Sequence, residues 1–369
     1  MNGPTIPRAL IVLVGMAGAV VALFGMREVA SILGPVVLAL VLVIAVSPVR
    51  SLLAERGAPG WVQVAVPFVI VLLVLLSMVA VLTVSIAQLT SLLPAYTGQF
   101  QKLLADGQRF AAGLGISNEQ LDKTVKSFDP GKILGLAQTL LSSLLSVMSS
   151  LFLMVVLLLA MSLDAPVTSR IIAAGRTRRP ELVSALAAFA RNTRRYLVVS
   201  TVFGFICAVL DVGALYLLGV PLPLLWGVLA LITNYIPNIG FVLGLIPPAT
   251  LALLDGGVKQ MLLVILAYIA INVVIQSFIQ PKFLGDAVGL STTMTFLSLI
   301  VWAFVLGPLG ALLAIPLSLL TRALLIDSDP SATWAAALIS GTEPPEPPKP
   351  KPVPTPERKG GTGSVGGRS

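Results

Sequence analysis

The sequence predicts an all-α polytopic membrane protein of about eight hydrophobic segments, the sixth and eighth of them broken or re-entrant. Three observations carry that prediction. The chain is 56% hydrophobic and only 11% charged, with a mean hydropathy of +0.98, where a soluble domain carries about 25% charge. Its apolar runs reach spanning length, since about 20 helical residues cross a hydrocarbon core of about 30 Å. Whole runs also lack a polar face, so their solvent is lipid.

Taken in order, the simple runs are 9–26, 29–46, 62–86, 136–163, 197–218 and 261–279. The first is expected to stay in the protein, because its apolar core exceeds a typical leader and a second span follows at once. Two runs, 222–254 and 290–325, are too long for one crossing; each would reach about 50 Å as a straight helix. Both are interrupted, at "PNIG" (237–240) and "GPLG" (307–310). Between the third and fourth runs, 87–135 reads as a helical extracytoplasmic loop. Its stretch "SLLPAYTGQFQKLLADGQRFAAGL" is amphipathic, and "SNEQLDKTVKSF" offers Ser117 or Asn118 as a cap. Residues 164–195 form an Arg-rich cytoplasmic segment whose amphipathic helix starts at Pro180. The tail, 326–369, is Pro-rich, poor in apolar residues and expected to be disordered.

With the N-terminus inside, seventeen of the 24 Lys and Arg fall on the cytoplasmic side. The positive-inside rule therefore places both termini in the cytoplasm. The net charge of +8 is topological, and no nucleic-acid partner is implied. Histidine is absent and Cys207 is the sole cysteine. That excludes an internal disulfide, a Ser/His/Asp triad and a Cys/His zinc site, so no metal or cofactor is implied. No GxxxxGK[ST] loop is present to cradle ATP. Cys207, in "TVFGFICAVL", reads as a small buried hydrophobe.

Polar groups inside a span are expensive and tend to face protein or a watery cavity. Asp211 is the one acid well inside a span. Asn272, Gln276 and Gln280 recur every four residues and stack on one helix face. Asn234 and Tyr235 precede the "PNIG" break, and Pro237, Asn238 and Gly240 form it. Freed backbone groups are tolerated at membrane depth only when buried or lining a cavity, and such breaks commonly build transport sites. The second break, at Gly307, Pro308 and Gly310, belongs to a weak internal repeat. Aligning Ile246-Pro247 with Ile315-Pro316 pairs Leu231 with Ile300 and Tyr235 with Phe304. Residues 196–325 thus form a C-terminal core of two broken-helix units, behind N-terminal membrane helices in 1–86 and one more in 136–163. Each broken unit either crosses once, giving eight crossings, or dips in and returns as a hairpin, which makes the two copies inverted. In the hairpin case Lys259 faces outside and Lys282 inside.

The region 195–320 resembles the autoinducer-2 exporter family of bacterial membrane proteins. The resemblance rests on Leu218-Gly219-Val220-Pro221, Ile236-Pro237 with Gly240, and Gln280-Pro281-Lys282 with Leu284-Gly285. Val288-Gly289-Leu290 and Ala314-Ile315-Pro316 complete it, in matching order and spacing. It implies a bacterial inner-membrane transporter and a homo-oligomer in the lipid bilayer. Departures lie near the presumed pocket: Ser291-Thr292 where His-Pro is common, and Ser277-Phe278 where an acid with Asn is common.

Three readings follow. In the leading one, the chain is a secondary transporter exporting a small polar solute or signal molecule. Asn234, Asn238, Asn272, Gln276 and Gln280 bond the cargo, Pro237 and Gly240 open the helix, and Lys282 beside Pro281 meets an anionic group at the mouth. In the second, Asp211 exchanges a proton for a cation, as a membrane carboxylate can. In the third, a non-transport scaffold recruits partners through its tail; removing 327–369 would then abolish function and Asn238→Leu would not. An enzyme is not expected, since no nucleophile and base share helical spacing inside the lipid.

Overall fold

The computed structural model describes residues 7–113, 130–237, 239–284, 289–329 and 332–341, and every regular element among them is helical. The helices are α1 (Arg8–Glu28), α2 (Ala30–Glu55), α3 (Gly60–Leu92), α4 (Thr97–Gly113), α5 (Pro130–Ala174), α6 (Pro180–Leu217) and α7 (Pro223–Thr233). They continue as α8 (Gly240–Asn272), α9 (Gln280–Leu284), α10 (Thr292–Leu306), α11 (Pro308–Leu312), α12 (Ala314–Leu325) and α13 (Thr333–Ser340). Five stretches are long and apolar enough to cross a membrane: Ala30–Glu55, Gly60–Gly107, Phe152–Thr177, Pro180–Leu217 and Gly240–Phe283. The expected cap at Ser117 or Asn118 and the tail beyond 341 lie outside the described residues.

α6 starts at Pro180, as the sequence predicts, and runs without a break through the fifth hydrophobic run. One of its faces, with Phe203, Cys207 and Asp211, is buried; Val202, Phe205 and Val209 stand outward and exposed. An outward apolar face at this depth is a lipid face. α5 likewise overruns its predicted end at 163 and stops only at Ala174, where a turn at Gly175–Thr177 returns the chain to α6.

Both broken runs fold back as hairpins. Gly240 packs so closely on the Thr233 carbonyl that a Cβ would collide with it, and Gly244 lies against Ala230, so α8 returns along α7. α8 reverses again at Gly257 (φ 76°, ψ −168°), a conformation that essentially only glycine adopts. In one straight helix Phe241 and Asn272 would stand about 46 Å apart; they line a single cavity instead. The second run turns at Gly307 (φ 65°). There the Trp302 indole Nε1 donates to Ser318 Oγ at 3.0 Å, across a separation of about 24 Å in an unbroken helix. Of the two arrangements left open by the sequence, the hairpin one is adopted twice.

The hairpins approach from opposite ends of α6. Trp226 of α7 shares a core with Leu215 of α6, Ile86 of α3 and Tyr268 of α8. At the other end, Leu319 and Ala323 of α12 pack on Phe189 and Ala185. The tips converge near Tyr196 and Leu197: the Tyr196 hydroxyl donates to Tyr235 O at 2.8 Å, and Ile236 joins Leu313 and Ala314 in a core with Val37 and Val41 of α2. Ser291, one of the departures from the family pattern, caps α10 by accepting from the Met294 amide at 3.3 Å.

Candidate functional site

The amides predicted from spacing meet at the first hairpin tip. Asn234 ends α7, where the chain leaves the helix and its side chain reaches α6, donating Nδ2 to Ser200 O at 2.9 Å. Gln276 Nε2 donates to both Asn234 Oδ1 and Asn272 Oδ1, each at 2.8 Å. Asn272 Nδ2 in turn donates to Tyr268 O at 2.9 Å. Three amides thus form one chain of hydrogen bonds linking α6, the tip of α7 and α8.

They surround a cavity of about 10 Å³ bounded also by Cys207, Asp211, Thr233, Phe241, Gly244 and Tyr268, room for roughly one water. Asp211 is 1% exposed and Tyr268 also 1%. The Asp211 Oδ1 and the Tyr268 hydroxyl have no hydrogen-bond partner among the described residues. Buried polar atoms are nearly always bonded, so these two oxygens, beside one small cavity, stand out as candidates for a polar guest.

Not every predicted residue joins this cavity. Tyr235 turns to α6 and shares a 2.6 Å hydrogen bond with Thr201. Pro237 sits in the tip turn and accepts from the Ile239 amide at 2.7 Å. Gly240 closes the hairpin. Asn238 lies outside the described residues. Gln280, Pro281 and Lys282 lie beyond the cavity, with Pro281 and Lys282 exposed. The reason is the π-helical segment Val273–Ile279: its wider turns carry Gln280 off the face that Asn272 and Gln276 share, and such turns recur at functional sites. Gly307, Pro308 and Gly310 form the second tip, where Gly310 packs on the Trp302 carbonyl as Gly240 does on Thr233.

Sequence spacing held two further signals. Tyr268 stands four residues before Asn272, and Cys207 four before Asp211, so each continues a polar ladder on its own helix. Tyr268 was hidden by its aromatic ring and Cys207 by its apolar neighbours.

An all-helical membrane bundle, with two inverted hairpins of which the first closes on a buried polar cavity, belongs to the class of membrane transporters. The AI-2E family transporter model matches residues 10–327, and the chain belongs to that family. It is 31% identical over 313 residues to the AI-2 transport protein TqsA of Escherichia coli (strain K12), covering 85% of this chain and 90% of that protein. It is 29% identical over 311 residues to the putative transport protein YhhT of the same strain, covering 83% and 88%. A putative transport protein of Haemophilus influenzae is 29% identical over 339 residues, covering 90% and 96%.

Proposed function

We propose that this chain is a secondary transporter of a bacterial inner membrane, with both termini cytoplasmic, working as a homo-oligomer and exporting a small polar solute or signal molecule of the autoinducer-2 kind. The observation that carries the reading is the amide chain Asn234–Gln276–Asn272 beside the unpartnered Asp211 and Tyr268 oxygens. Amides both donate and accept, so they match a neutral, hydroxyl-rich cargo whose hydroxyls do the same. The cavity is too small for such a cargo in this state. Passage therefore requires the first tip to move away from α6 and the second tip, against which it packs through Ile236. With no ATP cradle in the sequence, export runs downhill or on an ion gradient.

The test is efflux of autoinducer-2 from loaded proteoliposomes. Gln276→Leu and Asn234→Leu should lower the rate at least tenfold with the protein still folded; wild-type rates in both variants would overturn the assignment of the pocket.

The second reading, cation/proton antiport, is favoured by the buried Asp211 carboxylate, whose Oδ1 has no partner in a cavity of ion size. In energised everted vesicles carrying a pH-sensitive dye, it predicts collapse of the proton gradient on adding Na⁺ or K⁺, and loss of that response in Asp211→Asn. No response from well-expressed wild-type protein would remove it.

A further inference from the structure

A second cavity lies away from the amides, at the end of the bundle that carries the α2–α3 and α5–α6 turns. It is about 250 Å³ and is enclosed by α2, α3, α5 and α6. Three of its lining residues are Arg50, Arg191 and Arg194, and none carries a carboxylate. Arg50 and Arg194 are half-buried and Arg191 is exposed. Arg194 Nη1 reaches Ser47 Oγ at 3.2 Å, and that serine hydroxyl donates onward to Ile44 O. Ser162, on the opposite wall, likewise donates to its own helix, at Leu158 O. The wall hydroxyls are thereby turned away as donors, while three guanidinium groups with five donors each face a space poor in acceptors.

The neighbouring cavity shows what a self-neutralised version looks like. It is about 330 Å³ and also touches Arg191, but it contains Asp327, which pairs with Arg322 at 3.1 Å. No such pair exists for Arg50, Arg191 or Arg194 among the described residues. Three like charges around one enclosed space repel one another, and half-buried charge without a partner is costly. An anion bound between them removes both penalties.

We propose that this cavity binds a phosphate-bearing anion, gripped by Arg50, Arg191 and Arg194. Guanidinium forks match phosphate oxygens in pairs, and Val43, Val46, Val64 and Pro67 supply apolar walls for whatever carries the phosphate. At about 250 Å³ the space falls below the roughly 300–1,000 Å³ of a drug-sized ligand site, and it suits a headgroup-sized moiety. The phosphate has two possible carriers, an anionic phospholipid or a soluble phosphate ester. The site does not depend on the transport pocket.

The test uses full-length protein in two arms. In the first, native mass spectrometry scores retention of added phosphatidylglycerol against phosphatidylcholine. In the second, calorimetry in phosphatidylcholine nanodiscs titrates glycerol 3-phosphate. Wild type and the exposed-arginine control Arg170→Gln should bind the anion, and Arg50→Gln/Arg194→Gln should bind it at least roughly tenfold more weakly. Ala165→Phe fills the same cavity with every charge intact and should weaken binding as much. Binding in the first arm alone identifies the lipid headgroup as the source, and binding in the second identifies the soluble ester. No anion preference in either arm would overturn the proposal, as would wild-type affinity in a folded double variant or in Ala165→Phe.

Discussion

The first hairpin closes where Gly240 meets the Thr233 carbonyl, and that contact sets a measurable penalty. In Gly240→Ala the new Cβ runs into backbone oxygen and carbon, with Asn234 N close behind. A flexible side chain could swing away; a carbonyl fixed at the end of α7 cannot. Overpacking of this kind costs about 1–3 kcal/mol, and a backbone obstacle puts it near the upper end. Against that stands the helix preference of Ala over Gly, about 1 kcal/mol, which leaves a net loss of about 2 kcal/mol. Gly213, near the C-terminal end of α6, meets nothing within 4 Å. Gly213→Ala therefore keeps only the gain, up to about 1 kcal/mol. The two variants should differ by about 3 kcal/mol, or roughly 6–12 °C in Tm at 2–4 °C per kcal/mol. Thermal unfolding in one detergent, followed by tryptophan fluorescence, reads the difference directly. Equal Tm values would show that the hairpin is not closed by backbone contact, and the inverted arrangement would lose its best-defined joint.

The second hairpin should show a coupled pair: Trp302→Phe and Ser318→Ala should each cost about 1 kcal/mol, and the double variant little more than either alone; additive losses in thermal unfolding would contradict the 3.0 Å bond. Gly257→Ala should lose about 1–3 kcal/mol through backbone strain alone, since the space around Gly257 is open; an unchanged Tm would mean that the reversal lies elsewhere. Single cysteines tested in a Cys207→Ala background should place Lys259→Cys on the outer side of the membrane and Lys282→Cys on the inner side, the reverse of the eight-crossing arrangement. Lys259 adjoins Gln260, which bonds Leu218 O at the C-terminal end of α6, and Lys282 adjoins Phe283, whose carbonyl accepts from Arg195, about 35 Å back along that helix. Labelling of Lys282→Cys but not Lys259→Cys by an impermeant reagent from outside would refute the inverted hairpins.

Much of this architecture was legible because lipid leaves few choices. Length and apolar content identify the spans, and the helix-breaking "PNIG" and "GPLG" identify where each long run must turn. The choice between crossing and returning was not legible. It depends on whether glycine can let two arms touch, which is a tertiary matter at Gly240 and Gly310. The amide site was half legible: Asn272 and Gln276 follow helical spacing, but Gln280 does not, because a π-helical segment intervenes. Nothing in the residues 273–279, "VVIQSFI", announces that wider turn. The arginine cavity was illegible for another reason. Arg50, Arg191 and Arg194 come from two distant segments, and only the packing of α2 on α6 gathers them.

The internal repeat is stronger in geometry than in letters. A shift of 69 residues, which aligns Ile246-Pro247 with Ile315-Pro316, also pairs Thr233 with Trp302. These are the two residues whose carbonyls receive the tip glycines, Gly240 and Gly310. Equivalent positions, Thr233 and Trp302, thus supply the receiving carbonyl in both copies, while the second tip glycine stands one residue later than the alignment puts it. Chemistry has been divided between them. The first tip carries Asn234 and Tyr235 and reaches the buried Asp211 cavity; the second, Gly307 to Leu313, is wholly apolar and packs on α2 through Leu313 and on Gly34 through Leu309. One hairpin therefore carries the polar groups of the core and the other packs apolar surface against the N-terminal helices.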